Sequence, residues 1–108
     1  MPRQETELNR LDVALVESHL DELRVVRRLS PNTIESYQRD LRSLLRHASA
    51  QGRHVDTLSR PELEAHVRDL MTGNHSPRSV ARAVACIRGF YLFLAREGTI
   101  EVNPATEL

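Results

Sequence analysis

Apolar residues recur along the chain at intervals of three and four, and no stretch shows the strict alternation of a half-buried strand. The pattern predicts an all-α fold of four helices. The first is expected from about Leu11 to Arg28, with Leu11, Leu15, Leu20 and Leu23 available for the core and acids gathered toward its start, where they suit the helix dipole. Ser30-Pro31 opens the second, because serine is a favoured N-cap and proline at the first helical position loses nothing by lacking an N–H. Ile34, Tyr37, Leu41, Leu44, Leu45 and Ala48 then form one stripe, and Gly52 supplies a stop.

Ser59-Arg60-Pro61-Glu62 has the Ser-x-x-Glu spacing of a capping box and starts the third helix, with Leu63, Val67, Leu70 and Met71 facing inward. After the turn Thr72-Gly73-Asn74-His75, Ser76-Pro77 repeats the earlier cap and opens the fourth. Its stripe is Val80, Val84, Ile87, Tyr91 and Leu94, and Gly98 ends it. From Ile87 to Leu94 the sequence is apolar on almost every side, so this helix should be the most buried. Val102-Asn103-Pro104 reads as an extended exit, since a residue before proline avoids the helical region. The expected organisation is a flexible N-terminus over 1–9, a helical domain over 10–98 and the start of a linker over 99–108.

A chain of 108 residues fits one domain and can bury a core without disulfides or a structural metal. Cys86 is the only cysteine and cannot bridge internally, which points to a reducing compartment. No run approaches ~18 apolar residues and the N-terminus has no apolar signal core, so a soluble, cytoplasmic location is expected.

Charge changes this picture only when it is counted locally. Fifteen arginines balance 15 acids, and no lysine is present. Residues 1–23 set Arg3 and Arg10 against six acids, whereas 24–60 set eight arginines against Glu35, Asp40 and Asp56. A second basic stretch, 68–96, sets five arginines against Asp69, and the tail from Glu97 is acidic. A neutral chain segregated in this way can present a positive face to a polyanion.

At 100° per residue, the side of the second helix opposite its core holds Asn32, Ser36, Arg39, Ser43 and Arg46. The corresponding side of the fourth holds Arg78, Arg82, Ala85 and Gly89. Arginine beside short hydroxyl or amide residues, near a helix N-terminus, suits phosphates and base edges. From composition alone the same residues read more readily as an ordinary solvated face. Gly89 fits that plain reading least well, because a mid-helix glycine costs ~1 kcal/mol relative to alanine and points to a close neighbour, either a packed helix or DNA.

A search for catalytic groups finds none. His19, His47, His54, His66 and His75 lie on different elements without metal-ligand spacing and are expected at the surface. No nucleophile elbow or phosphate-cradling glycine loop occurs. Tyr37 and Tyr91 sit on apolar stripes, and Cys86 is expected to be inert core. No cofactor or metal is expected.

The order of the motifs is more specific than any one of them. Leu29-Ser30-Pro31-Asn32-Thr33-Ile34-Glu35-Ser36-Tyr37-Gln38-Arg39-Asp40-Leu41, then Ser76-Pro77-Arg78-Ser79, Ile87-Arg88-Gly89-Phe90-Tyr91-Leu92-Phe93-Leu94, Gly98-Thr99-Ile100 and Asn103-Pro104 resemble the N-terminal core-binding domain of tyrosine recombinases, most closely the Xer or phage-integrase type. The likeness runs from about Leu11 to Leu108. It implies a four-helix, SAM-like bundle forming half of a clamp around duplex DNA. The residues it assigns to DNA are Asn32, Thr33, Ser36 and Arg39 on the second helix, and Arg78, Ser79 and Arg82 on the fourth.

The resemblance further implies partners: a double-stranded recombination site and other recombinase protomers in a tetramer on it, with neither membrane nor small-molecule ligand. The family's tyrosine nucleophile, which forms a 3′-phosphotyrosyl link, belongs to a catalytic half expected beyond Leu108, so this chain should bind DNA without cutting it. The first helix lacks the aromatics common there, and Leu44, Leu45 and His47 stand where a large aromatic is usual. The alternative is a small helical protein-interaction module that self-associates and ignores duplex DNA.

Overall fold

Asn9 starts α1, Arg10–Val25, by accepting from the Leu11 and Asp12 amides through its side-chain oxygen at 2.8 and 3.2 Å. In this computed structural model residues 8–108 are described, and they fall into two compact units, one through Val55 and one from Asp56 to Leu108. Residues 1–7, part of the segment expected to be a flexible N-terminus, lie outside the described residues. Among those described there are four α-helices, one 3₁₀ turn and no strand. No helix is long and apolar enough to cross a membrane.

In the first unit α1 packs on α2, Pro31–Ala50. The buried face of α1 is Asp12, Val16, His19, Leu20 and Leu23, so Leu20 and Leu23 are buried as expected while Leu11 and Leu15 give way to Asp12, Val16 and His19. Leu11 is 70% exposed, because it lies ~100° around the helix from Asp12, and Leu15 is half-buried. Asp12 therefore serves less as a dipole partner than as a buried acceptor. Its carboxylate takes the Val55 amide at 3.0 Å, and the His54 Nδ1 lies 3.4 Å away. This ties the start of α1 to the 3₁₀ turn that begins at Val55, after α2.

Helix α1 also ends earlier than expected, at Val25 rather than Arg28. Arg28 takes up a left-handed conformation, φ +56°, and Leu29 donates its N–H across the turn to the Leu23 carbonyl at 3.1 Å. That conformation costs a non-glycine residue ~1–2 kcal/mol. It frees the chain to begin α2 at Ser30, whose Oγ accepts the Thr33 amide. The core side of α2 is Ile34, Leu41, Leu44, Leu45 and Ala48, as its pattern requires, with Tyr37 half-buried. Gly52, φ +67°, stops it with paired bonds, Arg53 to Ala48 and Gly52 to Ser49, which close the helix end on a left-handed residue.

In the second unit Ser59 and Glu62 form the capping box read from the sequence, with the Ser59 N–H donating to Glu62 Oε1 at 2.8 Å. It opens α3, Arg60–Thr72, which buries Leu63, His66 and Leu70 and packs on α4, Pro77–Arg96. Met71, expected inward, is 65% exposed, and Val67 is half-buried. Helix α4 is the most apolar of the four, burying Ala83, Cys86, Ile87, Phe90, Tyr91, Phe93 and Leu94. Phe90 and Tyr91 meet edge to face at 5.3 Å, a favoured aromatic geometry. Its stripe is looser than expected at the start, where Val80 and Val84 are only half-buried, and within the apolar run from Ile87 to Leu94 the side chain of Leu92 is 58% exposed.

After Gly98 the chain does not leave as an extended strand. Asn103 is non-helical, as its position before Pro104 requires, but residues 104–107 close as turns. Asn103 Oδ1 accepts from the Ala105 amide at 2.9 Å, and Ala105 is buried. Arg60 forks to Glu64 and Glu107, both at 3.0 Å, which joins this turn to the start of α3.

The two units follow one plan. Val16, His19 and Leu23 in α1 have the spacing of Leu63, His66 and Leu70 in α3, and all six are buried. In α2 and α4 the Ser-Pro cap, the buried run Leu41, Leu44, Leu45, Ala48 or Ile87, Phe90, Tyr91, Leu94, and the terminal left-handed glycine fall in the same register. His19 and His66, expected at the surface, are each 4% exposed because they occupy the central core position of this shared pattern.

Candidate nucleic-acid interface

The starts of α2 and α4 share a local structure that the other two helices lack. In each, the N-cap serine accepts from the amide three residues on, Ser30 from Thr33 and Ser76 from Ser79, and also donates its hydroxyl to that residue's hydroxyl at 3.0 and 3.1 Å. Neither helix has an acid in its first turn, whereas α1 has Asp12 and α3 has Glu62. The positive end of the dipole is thus left without an acid in its own first turn in α2 and α4, and an anion is favoured there.

Of the seven sequence-derived site residues, Asn32, Arg39 and Arg78 are exposed, while Thr33, Ser36, Ser79 and Arg82 are half-buried. In the first unit Asn32, Ser36 and Arg39 share the outer side of α2, and the Arg39 guanidinium donates to Ser36 Oγ over a long 3.4 Å. In the second unit Arg78 and Arg82 lie one turn apart on α4. Thr33 and Ser79 are held inside the caps, each with an oxygen that already accepts from a serine. A hydroxyl has two lone pairs and its own proton, so the cap orients these groups without exhausting them.

The outer side of α4 is otherwise open. Ala85 and Arg88 are exposed, and a Cβ built on Gly89 meets nothing within 4 Å. Packing therefore does not require that glycine. Arg88 was missed by the face count from the sequence, although it sits one turn from Ala85 and occupies the register of Arg42 in α2. Arg28 was missed as well, because only backbone geometry distinguishes it from its neighbours.

Other candidate chemistry does not gather. Arg60 is committed to acids: hydrogen bonding to and the charge of Glu64, then Glu107, hold its guanidinium above its ordinary pKa. Cys86 is buried in α4 and takes part in no disulfide. Among the described residues no group of three or more His, Cys, Asp or Glu could hold a metal ion.

Comparison with known proteins gives these faces a context. Residues 16–98 match the family model for the phage integrase N-terminal SAM-like domain. A tyrosine recombinase XerC of Pseudomonas syringae is 38% identical over 101 residues, covering 86% of this chain and 33% of that protein. Its counterpart in Azotobacter vinelandii is 35% identical over 94 residues, covering 86% and 31%. That of Xanthomonas campestris is 35% identical over 101 residues, covering 89% and 30%. No solved structure matches significantly. The chain spans about a third of the length of these relatives. Four helices without a strand among the described residues, two Ser-Pro-capped arginine faces and a family match across most of the length lead to one conclusion: this chain belongs to the phage-integrase N-terminal SAM-like domain family of the Xer tyrosine recombinases.

Proposed function

We propose that this chain is the DNA-binding N-terminal domain of a site-specific tyrosine recombinase, and that the outer sides of α2 and α4 carry it onto duplex DNA. The observation that carries the reading is the pairing of arginine-bearing faces with helix starts free of first-turn acids, found in α2 and α4 and in neither α1 nor α3. Arg39, Arg78 and Arg82 supply backbone contacts, and Asn32 and Ser36 supply groups able to read base edges. Thr33 and Ser79, fixed by their caps, present hydroxyls to the phosphates alongside. The nucleophilic tyrosine of the complete recombinase lies outside this chain, so the domain grips DNA, in the cytoplasm and beside other protomers on the same site, while chemistry happens elsewhere.

Fluorescence anisotropy with a labelled duplex tests this across a salt series. Log K should fall with log salt at about −0.9 per phosphate neutralised. Arg39→Ala and Arg82→Ala should each weaken binding, while Arg60→Ala, which removes a guanidinium already paired with acids, should not. Equal losses from all three would remove the claim that these faces are the site. A chain that self-associates and binds no duplex at low salt would replace it with the protein-interaction reading.

A further inference from the structure

Among the described residues three stand in the left-handed region, and two of them, Gly52 and Gly98, are the glycines that region favours. The third is Arg28. It lies in the turn between α1 and α2, exposed, and the Leu29-to-Leu23 bond pins the backbone on its C-terminal side. A strained conformation persists where the surrounding structure over-determines it, and such residues cluster at places that serve a function.

The neighbouring charges say what that is. Arg24 is held by Asp21 at 2.8 Å, but among the described residues neither Arg27 nor Arg28 has an ion pair. The turn thus offers two uncommitted guanidinium groups, and the helix that follows has no acid in its first turn to neutralise them. We propose that Arg28, supported by Arg27, is a phosphate contact of the DNA-binding surface: a sequence-independent grip on the nucleic-acid backbone, outside the helix faces described above. The inference rests on the reading of this chain as a duplex binder and adds to it a contact residue on a turn. A guanidinium suits a phosphodiester because it can give two parallel N–H bonds to one anion.

Arg28→Gly tests it in the whole 108-residue chain, because glycine relieves the backbone and the fold is kept. Thermal melts of Arg28→Gly should lie no lower than those of the wild type. In the same duplex titration affinity should drop roughly tenfold at low salt, and the slope of log K against log salt should shrink by about 0.9. Arg28→Lys, which keeps the charge and loses the fork, should restore most of the slope. Wild-type affinity and slope in Arg28→Gly would overturn this inference alone. Absence of salt-dependent duplex binding by the wild type would overturn it together with the function on which it rests.

Discussion

Replacing Asp12 by alanine should be among the most damaging single changes at a polar position of the first unit. The side chain is 3% exposed, and one oxygen accepts the amide of Val55, itself fully buried. Alanine leaves that amide without its acceptor and removes the group beside His54, 3.4 Å away. An orphaned buried donor costs about 1–3 kcal/mol, and hydrogen bonds to charged groups sit at the upper end. A domain of this size has about 5–15 kcal/mol of stability in total, so the loss is a large fraction of it. At ~4–8 °C per kcal/mol, a loss of ~2 kcal/mol lowers Tm by roughly 10 °C.

Urea or thermal melts followed by far-UV circular dichroism measure this, with amide hydrogen exchange at Val55 as the local readout. Asp12→Asn separates the two contributions: its side-chain oxygen can still accept from Val55 while its charge is gone, so it should recover more than half of the loss. Two results together would refute the reasoning: an Asp12→Ala change below ~0.5 kcal/mol, the scale of an ordinary surface substitution, and unchanged protection of the Val55 amide.

In the second unit Leu70→Ala should cost ~2–5 kcal/mol, whereas the adjacent Met71→Lys should stay within ~0.5 kcal/mol, and melts of the pair distinguish the buried from the exposed position. Gly89→Ala should raise stability by ~0.5–1 kcal/mol, because its Cβ enters open space in a helix, and should weaken duplex binding where a DNA backbone comes close. Tighter or unchanged binding in that variant would show that the glycine is not kept for DNA. Cys86→Ser should destabilise the chain by ~1–3 kcal/mol by placing a hydroxyl in the α4 core, measured by urea melts, with no change in the salt dependence of DNA binding.

What the sequence made legible was local. Ser30-Pro31, Ser59 with Glu62, Ser76-Pro77, Gly52 and Gly98 each specify a helix end through a few neighbouring atoms, and each does so in the structure. The face of α1 was not legible, because leucines outnumber valines there and the residue that fixes the face is an aspartate whose partner, Val55, is distant in sequence. The histidines misled for a related reason. His19 and His66 sit between apolar residues spaced three and four apart, and position in that pattern outweighs residue type. For the candidate site, the arginine faces could be read from periodicity, but Arg28 could not, since nothing in the order Val-Arg-Arg-Leu announces a positive φ.

The neutral total charge of the chain is offset locally, in its proposed role, by where five of its 15 acids go. Asp12 is turned inward to Val55, Glu62 closes the α3 capping box, and Glu64 and Glu107 hold Arg60. Asp21 occupies Arg24. These acids are engaged within the two units by a buried amide, a helix cap or an arginine, and a charge engaged at 3 Å has little field left beyond a Debye length of ~8–10 Å. The arginines that remain uncommitted to these acids include Arg27, Arg28, Arg39 and Arg78, all exposed, and all on α2, α4 or the turn that leads into α2. A polyanion meets that local excess rather than the zero sum. Salt dependence with a slope of several phosphates in a chain of zero formal charge is therefore the expected behaviour, and its loss should track these four positions and Arg82 rather than the total count of arginines.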